Sequence, residues 1–103
     1  MSKTTKYQDY LNKLLQDPET VVNYLNAALE DGDVTVFLSA LKNVVDANGG
    51  VGKLAQISKK SRPSLYKALS KTGNPYLKST NDILSTLGFH LSVSANKQDS
   101  ATR

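Results

Sequence analysis

At 103 residues and 11.2 kDa the chain has room for one domain, and 39% hydrophobic with 21% charged residues suits a folded chain. It has no cysteine, which excludes disulfide frameworks, thiol catalysis and cysteine-held zinc or iron–sulfur centres and suits a reducing cytoplasm. The net charge of +4 hides a division: residues 1–48 carry four lysines against seven carboxylates, whereas residues 49–103 carry nine Lys and Arg against Asp82 and Asp99.

The first residues, MSKTTK, lead into an amphipathic stretch and not an unbroken hydrophobic one, so no signal peptide is read there. No apolar run approaches the roughly 18 residues of a membrane-spanning helix. Tyr7, Leu11, Leu14 and Leu15 recur at the spacing of a short amphipathic helix, and residues 1–17 read as an N-terminal amphipathic arm. Asp17, Pro18 and Glu19 then have the grammar of a helix start: a capping carboxylate, proline in the first turn, and an acid beside it. Val21, Leu25, Ala28 and Leu29 supply the buried stripe of this second helix. Asp33 caps a third helix over about 34–48, with Phe37, Leu41, Val44 and Val45 inward, and Gly49 and Gly50 close it.

A short helix follows over 51–58, with Val51, Leu54 and Ala55 facing in. Lys59 and Lys60 form a brief connector. Ser61 caps another short helix from Arg62 to about Ser70, with Leu65, Ala68 and Leu69 inward. Gly73, Asn74 and Pro75 repeat the cap-then-proline pattern before a last helix carrying Leu77, Thr80, Ile83, Leu84 and Leu87, closed by Gly88. Residues 89–93 alternate apolar and polar, the pattern of a short strand at an edge or dimer seam, and residues 94–103 read as a disordered tail. The fold class is therefore all-α, a small helical bundle with at most one C-terminal strand. Its body spans residues 18–93.

Between Lys53 and Lys78 there are seven Lys or Arg and no acid, the footprint of a surface that meets phosphates. The same segment has the layout of a helix-turn-helix: two short helices, a tight connector, and a second helix dense in polar and basic residues. Small Ala55 permits close approach of the two helices, with Leu54, Leu65 and Leu69 as the wedge between them. Arg62, Pro63, Tyr66 and Lys67 then share the opposite face of the second helix, the face that enters a major groove about 12 Å wide. Ser61 and Ser64 lie in its first turn. Arg62 is placed to reach base edges, Tyr66 a thymine methyl or a phosphate, and Lys59, Lys60, Lys67, Lys71 and Lys78 phosphates. Backbone amides at Gly49 and Gly50 offer a second phosphate clamp.

These residues carry a resemblance. The stretches YLNAALE (24–30), FLSAL (37–41), SRPSLYKALS (61–70), GNP (73–75) and LGFHLSV (87–93) resemble the addiction-module antidote family, Hig-like antitoxins with a Cro/C1-type helix-turn-helix, often prophage-associated. The resemblance implies a dimeric, DNA-binding repressor of its own operon whose protein partner is a small RelE-like toxin. Asn74, within the GNP stretch, is a further candidate DNA-binding residue. The chain departs from the family in the turn, where a glycine and an apolar residue are usual and Lys59 and Lys60 stand instead. Without glycine at that point, Lys59 is expected to carry backbone strain.

Other readings stay open at this stage. A stand-alone prophage repressor without a toxin fits the same residues, and so does a helical adaptor whose basic face meets an acidic protein. His90, the only histidine, lies in an apolar–polar alternation and reads as an edge residue, so no metal is assigned. Glu30, Asp31 and Asp33 lack the length and ligand count of a calcium loop. No catalytic constellation or nucleotide fingerprint is present, and no cofactor or enzymatic activity is expected. A two-fold dimer is expected from the small footprint of one recognition helix, with residues 83–93 as the candidate seam and the N-terminal helices as the competing choice.

Overall fold

The computed structural model describes residues 2–70 and 76–96, with side chains from residue 6 onward. Among these residues it holds six helices: α1 (Ser2–Leu14), α2 (Pro18–Asp31), α3 (Val34–Ala47), α4 (Gly50–Ser58), α5 (Arg62–Ala68) and α6 (Leu77–Leu87). The predicted helical breaks reappear as caps. Asp17 accepts from the Thr20 backbone N–H at 3.0 Å and from its hydroxyl at 2.9 Å, satisfying an orphan amide of α2. Asp33 does the same for α3, accepting from Thr35 N–H at 2.9 Å and Thr35 O–H at 2.8 Å.

The core is organised around α3. Its Phe37, Leu38, Ala40, Leu41, Val44, Val45 and Ala47 are all buried, and Leu41 and Val44 are fully enclosed. Against this stripe α1 contributes Leu11, the following turn Leu15, and α2 Val21, Leu25 and Ala28. The other side of the same core is filled by Val51 and Leu54 of α4, Leu65 and Leu69 of the α5 region, and Ile83 and Leu84 of α6. Each fully buried Leu or Ile is worth about 1.5–3 kcal/mol relative to exposure, so one shared core supports both ends of the molecule. Asn48 sits at the junction. Its amide donates to Leu15 O at 3.2 Å and Val44 O at 2.8 Å, and the Gln16 amide reaches Ala47 O at 3.4 Å.

Two expectations are corrected. First, residues 89–93 form no strand, and among the described residues no second extended segment lies beside them to complete a ladder. The chain is instead turned by Gly88 in the left-handed conformation (φ 97°), with Phe89 N–H bonded to Leu84 O at 2.8 Å and Gly88 N–H to Ser85 O at 3.0 Å. This closing motif drops Phe89 and Leu91 onto the edge of the core. Second, Tyr7, Leu14 and Leu29 were expected on buried stripes, yet all three are exposed. A helix packed against few neighbours buries a narrower stripe than its apolar residues offer, and Leu11 with Leu15, or Val21 with Leu25 and Ala28, fill it. Tyr10 is also outward, whereas Tyr24 is half-buried, its hydroxyl accepting from the Asn43 amide at 2.9 Å. The expectations for residues 73–75 and 97–103 fall outside the described residues.

Candidate nucleic-acid interface

The basic half of the sequence becomes two short helices joined by a three-residue turn. α4 starts after Gly49 (φ 109°) with Gly50 (φ 81°), both in the left-handed region that glycine enters without penalty. Val51 and Leu54 face the core, and Ala55 is half-buried beside them. α4 ends on Lys59, whose N–H bonds Ala55 O at 2.9 Å. Lys59 has φ 63° and ψ 22°, and among the described residues it alone adopts a positive φ without being glycine. The expected strain is therefore located at that residue.

Ser61 is the cap of α5, its hydroxyl accepting from Ser64 N–H at 3.2 Å, and Pro63 occupies the first turn, where a missing N–H costs nothing. Leu65 is buried to 1% exposure and Leu69 to 4%, which pins one side of α5 to α4 and the core. The other side is left outward: Arg62, Pro63, Ser64, Tyr66 and Lys67 are all exposed, with Tyr66 54% exposed. Lys67 also lies in the last turn of α5, where a cation suits the helix dipole. Arg62 does not simply project outward. Its guanidinium leans back over α4, so that a Cβ built on Gly52 would come within 3.2 Å of Nη2. The glycine in the first turn of α4 makes room for that side chain.

The remaining predicted positions divide. Lys53, Lys59, Arg62 and Lys67 have no ion-pair partner among the described residues. Lys60 is not free: its Nζ lies 3.3 Å from Asp82 Oδ2 on α6, and Lys78 Nζ lies 3.1 Å from the same oxygen. Those two ammonium groups hold the Asp82 carboxyl below the usual carboxylate range, with the Lys78 hydrogen bond the larger cause. Lys71 and Asn74 lie outside the described residues. Sequence reading missed both the Asp82 contact and the resting place of Arg62. The only signal available was that Asp82 is the lone carboxylate between residues 49 and 96.

The opposite pole is acidic. Residues 17–47 hold six carboxylates against Lys42, which is itself paired with Asp46 at 3.1 Å. Thr35 holds the Asp33 carboxyl below its ordinary range, first through its backbone N–H and then through its hydroxyl. Between α2 and α3 an open groove of about 540 Å³ runs past Tyr24, Ala27, Asp31, Val36, Ser39 and Asn43. Among the described residues no cluster of His, Asp or Glu could hold a metal ion, and no helix is long and apolar enough to cross a membrane.

Geometry thus defines a small all-helical protein in which a basic two-helix unit is carried by an acidic helical scaffold. The chain belongs to the family described as probable addiction module antidote protein, which it matches over residues 4–95. It is also 31% identical over 83 residues to an uncharacterized protein of Haemophilus influenzae, a match that covers 81% of this chain and 84% of that one. No solved structure matches the chain. Membership of an antidote family makes a toxin its counterpart and points to a regulatory, non-enzymatic protein.

Proposed function

We propose that this antidote is a sequence-specific DNA-binding repressor of its own toxin–antitoxin operon, a Hig-like antitoxin that also neutralises a RelE-like toxin. The observation that carries the DNA reading is the outward face of α5. Arg62, Pro63, Ser64, Tyr66 and Lys67 are exposed on a helix whose opposite side is locked by Leu65 and Leu69. That face lies inside a 26-residue stretch, 53–78, with seven basic residues and no acid. In this reading α4 and α5 are a Cro/C1-type helix-turn-helix with α5 in the major groove. Arg62 reads a base edge, Tyr66 contacts a thymine methyl or phosphate, and Ser61, Ser64, Lys59, Lys67, Lys71 and Asn74 line the backbone.

Residues 18–93 form the DNA-binding body and residues 1–17 an arm, and the protein acts in the cytoplasm as a two-fold dimer on half-sites about 34 Å apart. The seam is placed at residues 83–93. Ile83 is used up inside the protomer, which leaves the half-buried Leu87, Phe89 and Leu91 as its apolar surface.

The test is fluorescence anisotropy on the duplex upstream of the protein's own reading frame, beside a scrambled duplex, across a salt series. A preference of about 10³ or more for the native duplex, mostly lost in Arg62→Ala, is the expected result. Equal binding to both, with a steep salt slope and no effect of Arg62→Ala, would make the basic half a non-specific phosphate surface.

A further inference from the structure

We propose that Asp82 restrains sequence-independent DNA binding by holding Lys60 and Lys78 away from phosphate; this rests on the DNA-binding function proposed above. Asp82 lies on α6, the helix packed against α4, and it is the only carboxylate between residues 49 and 96. A single oxygen, Oδ2, receives Lys60 Nζ at 3.3 Å from the turn before α5 and Lys78 Nζ at 3.1 Å from the first turn of α6. Two of the seven basic side chains between residues 53 and 78 are thus gathered onto one acid.

Such a cluster is poorly suited to holding the fold together. All three side chains are solvent-accessible, Lys78 to 85%, and exposed pairs contribute little to stability. The packing of α6 rests instead on Thr80, Ile83 and Leu84. What the carboxylate does change is the field that a duplex meets. It cancels one of the local positive charges, and a phosphate approaching either lysine must displace an anion already within hydrogen-bonding distance. Lysine-to-phosphate contacts raise affinity for every sequence alike, so restraining two of them limits the non-specific binding against which a repressor must discriminate. Arg62 and Lys67 have no such anion beside them among the described residues and stay available.

A structural tie and an electrostatic restraint predict opposite signs. If Asp82 mainly fastened the turn to α6, its removal would loosen the turn and weaken DNA binding. As a restraint, its removal strengthens binding. The experiment uses the full chain and two duplexes, the upstream one and its scramble, in anisotropy titrations over a salt series. In Asp82→Asn the scrambled duplex should bind about eightfold more tightly at ~0.1 M salt for each lysine that finds a phosphate, with a slope steeper by about 0.9 per lysine. Asp82→Glu should behave as the unsubstituted chain. A second measurement does not depend on the folding of Asp82→Asn: Lys60→Gln should cost clearly less affinity than Lys67→Gln, because Lys60 is already engaged. Weaker or unchanged scrambled-duplex binding in a folded Asp82→Asn, or equal losses in Lys60→Gln and Lys67→Gln, would overturn the restraint. If the unsubstituted chain prefers its own duplex while those results come out against Asp82, the restraint alone fails. If it binds neither duplex, the DNA-binding function fails and the restraint with it.

Discussion

The α2–α3 pair and the α4–α5 pair are both two-helix units, yet they are built on different terms. α2 and α3 are 14 residues each, joined through Gly32 and Asp33, and both begin on aspartate caps bonded to threonine. α4 and α5 have nine and seven residues, and are joined through a strained Lys59. The first pair supplies most of the core and carries the acid, and the second supplies fewer buried side chains and carries the base. A seven-residue helix cannot hold itself together in water, so α5 exists because Leu65 and Leu69 are anchored in a core that α3 organises. Most of the core and the exposed basic face therefore reside in different helices that share one hydrophobic interior.

The largest test of that division is in the core. Leu41→Ala, at a position with no exposure, should destabilise the chain by about 2–5 kcal/mol in urea denaturation. Loss of helical signal and loss of DNA binding should follow one transition, because the two pairs share the core; two separate transitions would break the comparison. The next effect is on recognition alone. Arg62→Ala should remove about 1–3 kcal/mol of discrimination per half-site, and so most of the preference of the dimer for the native duplex over the scrambled one in anisotropy, with the melting temperature unchanged. Glu30→Gln, on α2, should leave that discrimination as it was.

A smaller change sharpens the contrast at the turn. Lys59→Gly relieves a left-handed lysine but loosens the unfolded chain, and should raise stability by a net ~0.5–1 kcal/mol while lowering the DNA salt slope. The smallest effect concerns the acidic caps. Asp33 has a depressed carboxyl in the folded state, so its cap stabilises above the ordinary carboxylate value and that stabilisation is lost as pH falls through the depressed one. Asp33→Asn keeps an acceptor for the Thr35 N–H without an ionisation, and should flatten the acid limb of a melting-temperature profile.

Helix identities and their ends were legible because they rest on local chemistry. Asp17 with Pro18, Asp33, Ser61 with Pro63, and Gly88 each act within one turn of their own position, and all four caps stand where the sequence put them. The basic stretch and the outward side of α5 were legible for the same reason, since charge order and helical spacing are properties of neighbours. Long-range facts were not. Nothing near Lys60 indicates that Asp82, 22 positions later, lies 3.3 Å from its ammonium, and nothing near Gly52 indicates that Arg62 rests over it. The strand at 89–93 misled because alternation describes what a segment could pair with and not whether a partner lies beside it. Tyr7 and Leu29 misled because periodicity marks an apolar stripe without fixing how much of it a neighbour covers.

The junction at Asn48 has a mechanical consequence. Its one amide spans the end of the first helical segment, at Leu15, and the last turn of α3, at Val44, and the next residue is the glycine from which α4 departs. Severing the chain at the exposed Asp17 and letting α1 drift away would remove the Leu15 acceptor and uncover the α3 surface beneath Leu11 and Leu15. The loosened joint would then be the pivot of the basic α4–α5 unit. A single nick beside this junction would be felt as play in the hinge that aims α4 and α5.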